Sequence, residues 1–148
     1  NFLNCTFYAR GSTYVSHSKD PAFYINNYFK IDESTFLYSD AASAKFDNCI
    51  LYGTLEEEIV KDNDVNNSVA INLMYNHCVV KTKATLNPPV FVTCKIDDPQ
   101  FSDVFKNNYH LKTTSPCRSF STVLFPAIDI DGFMRTGVVT DCGAYTFQ

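Results

Sequence analysis

Four short pieces of the chain overlay on one another: FLNCTF at 2–7, IDESTF at 31–36, FDNCIL at 46–51 and YNHCVV at 75–80. The first place is always large and apolar, the fourth Cys or Ser, and the sixth apolar, while the third is Asn, Glu, Asn or His. On either side of the third place the residues alternate with a period of two, which marks β-strands. The third residue interrupts that alternation and reads as a one-residue bend. Asn and His are both enriched in the left-handed backbone conformation such a bend requires, and Glu33 is the poor fit. Self-similarity at this kind of spacing predicts a solenoid, in which each coil buries its inner face and stacks on its neighbours.

The bend residues Asn4, Glu33, Asn48 and His77 lie 29, 15 and 29 residues apart, and the middle interval is short for a three-sided coil. Either that turn is tight, or Asn27 in FYINNYF is the equivalent residue, with intervals of 23 and 21. The match of KIDEST (30–35) to KFDNCI (45–50) over six positions favours the first. After Leu51, TLEEEIVK looks like a capped helix start, Thr54 being followed three residues later by Glu57. The apolar spacing then fades into KDNDVNNS, a loop composition. The reading adopted is a short strand at 58–60, a turn at 62–67 and a strand at 69–75. Composition agrees with an all-β chain: 22 of the 148 residues are Phe or Tyr, and 13 Asn and 13 Thr stand against 4 Glu. The net charge of −4 and only three arginines argue against a nucleic-acid surface. No apolar run approaches the length of a membrane-spanning helix. The pattern is already running at Phe2, which predicts that an upstream part is missing.

The last third does not repeat. It carries Asp98-Pro99-Gln100-Phe101, Tyr109-His110-Leu111, Ser115-Pro116, Asp129-Ile130-Asp131-Gly132 leading to Arg135, and Asp141-Cys142-Gly143-Ala144-Tyr145. These resemble the closing motifs of bacterial right-handed parallel β-helix surface proteins, the region called a choice-of-anchor Q domain, and FDNCILYG (46–53) resembles that family's last regular coil. Departures are Cys117 and Cys142 in place of small or branched apolar residues, Phe133-Met134 in place of Asn-Pro, and Thr146 in place of Glu. The resemblance implies a right-handed parallel β-helix, with coils over about residues 1–93 and a mostly β cap over about 94–148. It also implies an exported protein, commonly from Bacteroidetes-type bacteria, at the cell surface, on the outer membrane or outside the cell. It implies no reaction, because the fold carries polysaccharide lyases and glycoside hydrolases as well as adhesins without chemistry.

Residues that can carry chemistry are sparse. Cys5, Cys49 and Cys78 share one inward place and read as a ladder of buried free thiols, since stacked parallel Cβ vectors suit a disulfide badly. There is no CxxC pair and no zinc-ligand spacing. Cys117 and Cys142, both substituted into the capping segment, form a candidate disulfide in an exported protein. Asp129 and Asp131 sit in a turn, because the further oxygens and closing Glu of a calcium loop do not follow. His77 is a bend residue, His17 lies in a loop, and His110 is on an outward face. Lys30 with Asp32 and Lys45 with Asp47 would have to stack to make a lyase site, and read instead as solvated faces. No catalytic, cofactor or metal residue is therefore assigned. Tyr8 and Tyr52, following equivalent places of the repeat, are the candidate ligand-binding residues, because outward rings suit sugar C–H faces. The expectation is a non-enzymatic, adhesin-like surface protein that contacts polysaccharide or cell-surface glycan. The alternative is the tail of a polysaccharide lyase or glycoside hydrolase whose catalytic coils lie upstream.

Overall fold

The computed structural model describes residues 1–12, 14–39, 43–64, 70–121 and 126–148. The chain forms β1 (Phe2–Leu3), β2 (Thr6–Ala9), β3 (Phe23–Asn26), β4 (Tyr28–Lys30) and β5 (Phe36–Tyr38) in its first part. Then come β6 (Ser43–Asp47), β7 (Ile50–Gly53), β8 (Ile59–Asp62), β9 (Asn72–Asn76), β10 (Val79–Val80) and β11 (Phe91–Val92). β12 (Phe101–Asp103) and β13 (Asn108–Leu111) close the described strands, joined by a 3₁₀ turn at Val104–Lys106. Among the described residues all other regular structure is β.

Three of the sheets are parallel. β1, β6, β9 and β11 lie side by side in that order, β2, β7 and β10 form a second sheet, and β3 pairs with β8. The register puts Phe2 beside Phe46, Phe46 beside Tyr75, and Tyr75 beside Phe91. In the second sheet Thr6 pairs with Ile50 and Ile50 with Val79. Between the two sheets the chain turns through Asn4, Asn48 and His77, whose φ angles are 49°, 59° and 51°. The left-handed bend read from these three residues is present in the fold.

The piece at 31–36 is a different object. It is the turn of an antiparallel hairpin in which β4 pairs with β5, and no residue of that piece has positive φ. Asp32 holds the turn, its Oδ1 accepting from the backbone N–H of Ser34 at 2.9 Å and of Thr35 at 2.8 Å. Asn27 is not the missing equivalent either, since it lies between β3 and β4 with ordinary φ. The fourth copy is FVTCKI at 91–96, where Thr93 takes φ 52°, Phe91 pairs with Tyr75, and Lys95 bridges Val79 in parallel. A β-branched residue in the left-handed region is rare, which hid this copy from a reading based on bend propensity. Downstream of Leu51 the expected strands appear as β8 and β9, shifted by one to three residues at their starts. The turn expected at 62–67 lies partly outside the described residues.

The core follows from this register. Phe2, Phe46, Tyr75 and Phe91 stack face to face at 4.8, 4.9 and 4.9 Å, with planes 11–13° apart. The spacing equals that between neighbouring strands, so one aromatic per copy builds a continuous column. Each such pair is worth about 0.5–1.5 kcal/mol beyond the area it buries. Cys49, Leu51, Cys78 and Val80 fill the space beside the column, with Cys5, Phe7 and Cys94 packed at its ends. A second core lies on the other face of β7 and β10, where Ile50 and Val79 meet Phe101, Leu111, Cys117 and Cys142. The segment after Asp98 covers that face. It is pinned by Ser115 Oγ donating to the Pro99 carbonyl at 2.6 Å, and by the buried Arg135, whose guanidinium donates to the carbonyls of Asp141 and Gly143 at 3.0 and 2.8 Å. Gly143 sits at φ 90°, and a Cβ there would lie 2.6 Å from Ile50 Cδ1 and 2.7 Å from Thr6 Oγ1, so only glycine allows the closing segment to approach.

The bend makes one prediction. His77→Asn should change stability by no more than about 0.5 kcal/mol, since Asn tolerates the same φ, whereas His77→Val should cost about 1–2 kcal/mol. Urea midpoints of the two variants against the parent test this, and a large loss in His77→Asn would give the imidazole another role.

Candidate functional site

Tyr8 and Tyr52 are adjacent in register on β2 and β7, on the face that carries Ile50. That face points away from the aromatic column, and both rings are partly covered. Tyr8 is half-buried, edge-on to Phe101 at 5.5 Å and tilted against Tyr109 at 5.3 Å, while Tyr52 lies under the Lys81 ammonium at 5.0 Å. With Asp98, Gln100, Phe101 and Lys112 they line a cleft of about 210 Å³. Burial pushes both phenols above their ordinary pKa. The closing segment thus covers part of this face and leaves both rings on the wall of the cleft.

The remaining candidates are distributed through the fold. Cys5, Cys49, Cys78 and Cys94 form a ladder in which the backbone N–H of Cys5 donates to Cys49 Sγ and that of Cys49 to Cys78 Sγ, each at 3.4 Å. The thiol of Cys5, taking a hydrogen bond from Cys49, is pulled down to about 6, and burial pushes Cys78 up to about 12. Cys117 and Cys142 are buried neighbours, with the Cys142 N–H donating to the Cys117 carbonyl at 2.9 Å, and both are free thiols here. Burial raises Cys142. Asp129 Oδ1 accepts from the N–H groups of Asp131 and Phe133 at 2.9 and 2.8 Å, and Oδ2 from Thr146 N–H at 2.8 Å, which is the work of a turn carboxylate. Lys45 pairs with Asp47 at 2.9 Å on β6, whereas Lys30 and Asp32 belong to the hairpin, so the two pairs do not stack. His110 lies against Tyr145 at 4.3 Å and meets Asp131 at 3.1 Å. Among the described residues no group of three His, Cys, Asp or Glu is arranged to hold a metal, and no helix is long and apolar enough to cross a membrane.

Two clusters were not legible in the sequence. The first is Glu58, fully buried, whose carboxylate accepts from the N–H of Leu55 at 2.7 Å and of Ala22 at 2.8 Å and meets His17 Nε2 at 3.2 Å. It rests on Gly53, where any Cβ would run into the carboxylate. This cluster ties the 11–22 loop to the stack. With every partner inside the protein, it is structural.

The second cluster faces outward. β3 and β8 pair so that Tyr24 lies beside Val60 and Asn26 beside Asp62. The carboxylate of Asp62 accepts from the phenols of Tyr24 and Tyr28 at 2.6 and 2.7 Å. Tyr28 continues into a row of rings, with Phe36 at 5.9 Å from it and Tyr38 a further 6.4 Å on, and Lys30 stands over Phe36. Tyr24 is 50% exposed and Tyr38 43%. The two phenols hold Asp62 below its ordinary carboxylate range, and Asp62 in turn raises Tyr24 to about 12 and lifts Tyr28. The arrangement offers ring faces, a carboxylate with lone pairs to spare and an ammonium on one surface. These are the groups that grip a sugar by its C–H face and hydroxyls.

No family model, curated protein or solved structure matches the chain.

The phenol–carboxylate cluster has a titration signature. Asp62 is depressed, so its contribution to stability is present above the ordinary carboxylate range and is lost as pH falls through the lowered value. Tyr24 is raised, so its contribution is present below 10 and is lost as pH climbs through about 12. Following the Tyr24 ring by NMR with labelled tyrosine should show a midpoint near 12 in the parent. In Asp62→Asn the midpoint should move down towards the ordinary value. An unchanged midpoint would mean that the carboxylate does not hold the phenol in solution.

Proposed function

We propose that this chain is the C-terminal section of a right-handed parallel β-helix from an exported bacterial surface protein, and that it contacts glycans without performing chemistry on them. The carrying observation is the row Tyr24, Tyr28, Phe36 and Tyr38, with Tyr24 and Tyr38 exposed and Tyr28 and Phe36 half-buried, set around the Asp62 carboxylate and the Lys30 ammonium. The solenoid reading is supported by three parallel sheets, two of which share one register, and by a column of aromatic rings repeated copy on copy. The motif residues of the closing segment support it too. Asp98, Ser115, Asp129, Arg135 and Asp141 are engaged in holding backbone. The edge of β1 and β2 borders a cleft of about 580 Å³ that runs between Phe2, Cys5 and Phe7 and the closing segment at Ile128, Ile130 and Arg135.

A glycan array probed with the parent and with Tyr24→Ala and Asp62→Ala tests the binding surface. Retention of acidic or neutral polysaccharide by the parent, weakened at least about tenfold in both variants, is the expected result. Binding that survives both substitutions, or cleavage of any polysaccharide by the chain, overturns the reading. Export adds a second expectation, that Cys117 and Cys142 become bridged in an oxidising compartment. Two of the six thiols should then resist alkylation in denaturant until a reductant is added, and peptide mapping should join those two residues. Six freely alkylated thiols in protein recovered from outside the cytoplasm would rule the bridge out.

A further inference from the structure

The hairpin of β4 and β5 divides its side chains between two faces. Its register pairs Tyr28 with Tyr38 and Lys30 with Phe36, while Phe29 pairs with Leu37. Side chains alternate along a strand, so the first four residues share one face and Phe29 and Leu37 take the other. A molecule that stacks on Tyr28, Phe36 and Tyr38 therefore meets Lys30, whose ammonium lies over the Phe36 ring at 5.9 Å from its centroid.

Neither charged group of this surface is used up by the protein. Among the described residues Lys30 has no carboxylate partner, and it is exposed. Its contact with the Phe36 ring is a cation–π interaction, which is weak at an exposed site and yields to an anion. At the other charge, the phenols of Tyr24 and Tyr28 both donate to one oxygen, Asp62 Oδ2. Among the described residues Oδ1 accepts no hydrogen bond, and Asp62 is partly exposed. That oxygen is an acceptor open to hydroxyl groups. The ammonium gains most from a charged acceptor, since hydrogen bonds between ions are about twice as strong as neutral ones. The net charge of −4 does not reverse this choice, because charges farther than about 8 Å are largely screened at physiological salt.

We infer that this surface selects an acidic glycan, a sugar polymer whose carboxylate or sulfate pairs with Lys30 while its C–H faces lie on the rings and its hydroxyls donate to Asp62 Oδ1. Lys30 then sets the selectivity of the glycan-binding surface proposed above, on which this assignment rests. A neutral glycan keeps the ring and hydroxyl contacts and leaves the ammonium without an anion.

Dextran, carboxymethyl dextran and dextran sulfate share one backbone and differ in the substituent. Biolayer interferometry of the parent should give at least one charged polymer an affinity about tenfold above that of dextran, and the tighter of the two names the anion. Lys30→Gln should melt with the parent and bring that polymer down to the affinity of dextran. Lys106→Gln removes the same charge from the turn between β12 and β13 and should keep the preference, which separates a local pairing from an effect of net charge. Equal affinity for the three polymers, binding of none, or a preference that survives Lys30→Gln overturns the selectivity and leaves the glycan reading to the array. A parent that retains nothing on the array overturns both.

Discussion

Everything in this fold hangs on the coincidence between strand spacing and ring stacking along Phe2, Phe46, Tyr75 and Phe91. Parallel strands place equivalent residues one strand spacing apart, and a flat ring is the side chain whose van der Waals thickness fits that step with room for slight offset. A slip of one residue in any copy would turn its ring outward and bring a polar neighbour in, so the column also fixes register. The left-handed bend makes the column possible. One residue at positive φ between two short strands lets the first and fourth places of each copy both face inward, which a continuous strand with its period of two cannot do.

From that register the outer face follows. The fifth place of each copy points away from the column, and in two copies it is Ile50 and Val79, apolar residues that would be costly in water. The closing segment supplies their cover, and its polar residues spend themselves on backbone. Asp141 accepts from the N–H of Ser119 and Phe147, Asp129 from three N–H groups, and Arg135 donates to two carbonyls. An irregular segment has no ladder to satisfy its main chain, so side chains must do it. The motifs of the closing third are thus a signature of how the stack is covered and carry no information on a reaction.

The same cover decides which aromatics are available to a ligand. Tyr8 and Tyr52 lie on the Ile50 face, Tyr8 against Phe101 and Tyr109 and Tyr52 under the Lys81 ammonium, whereas Tyr24, on the β3–β8 sheet, stays half exposed. The hairpin that extends the aromatic row lies in the 43 residues between the bends at Asn4 and Asn48, an interval that the sequence overlay divided with a false copy at 31–36. Its Asp-x-Ser-Thr turn mimics the repeat in composition because small polar residues that bend a hairpin also suit a coil corner.

The sequence by itself determined the inward pattern, the bends at Asn4, Asn48 and His77, the all-β class and the turn at Asp129. Each depends on residues within a few places of one another, where the period of alternation and the tolerance of a side chain for positive φ act directly. Tertiary structure decided the rest. Thr93 became a bend because Phe91 and Lys95 are held in register by the copy before them, overriding its weak local preference. Glu58 found His17 across 41 residues, and Asp62 found Tyr24 and Tyr28 across 38 and 34. Such meetings depend on how many residues each copy spends before it returns to the column. The hexapeptides that set the register do not encode that length, so the aromatic surface around Asp62 could not be read before the copies were stacked.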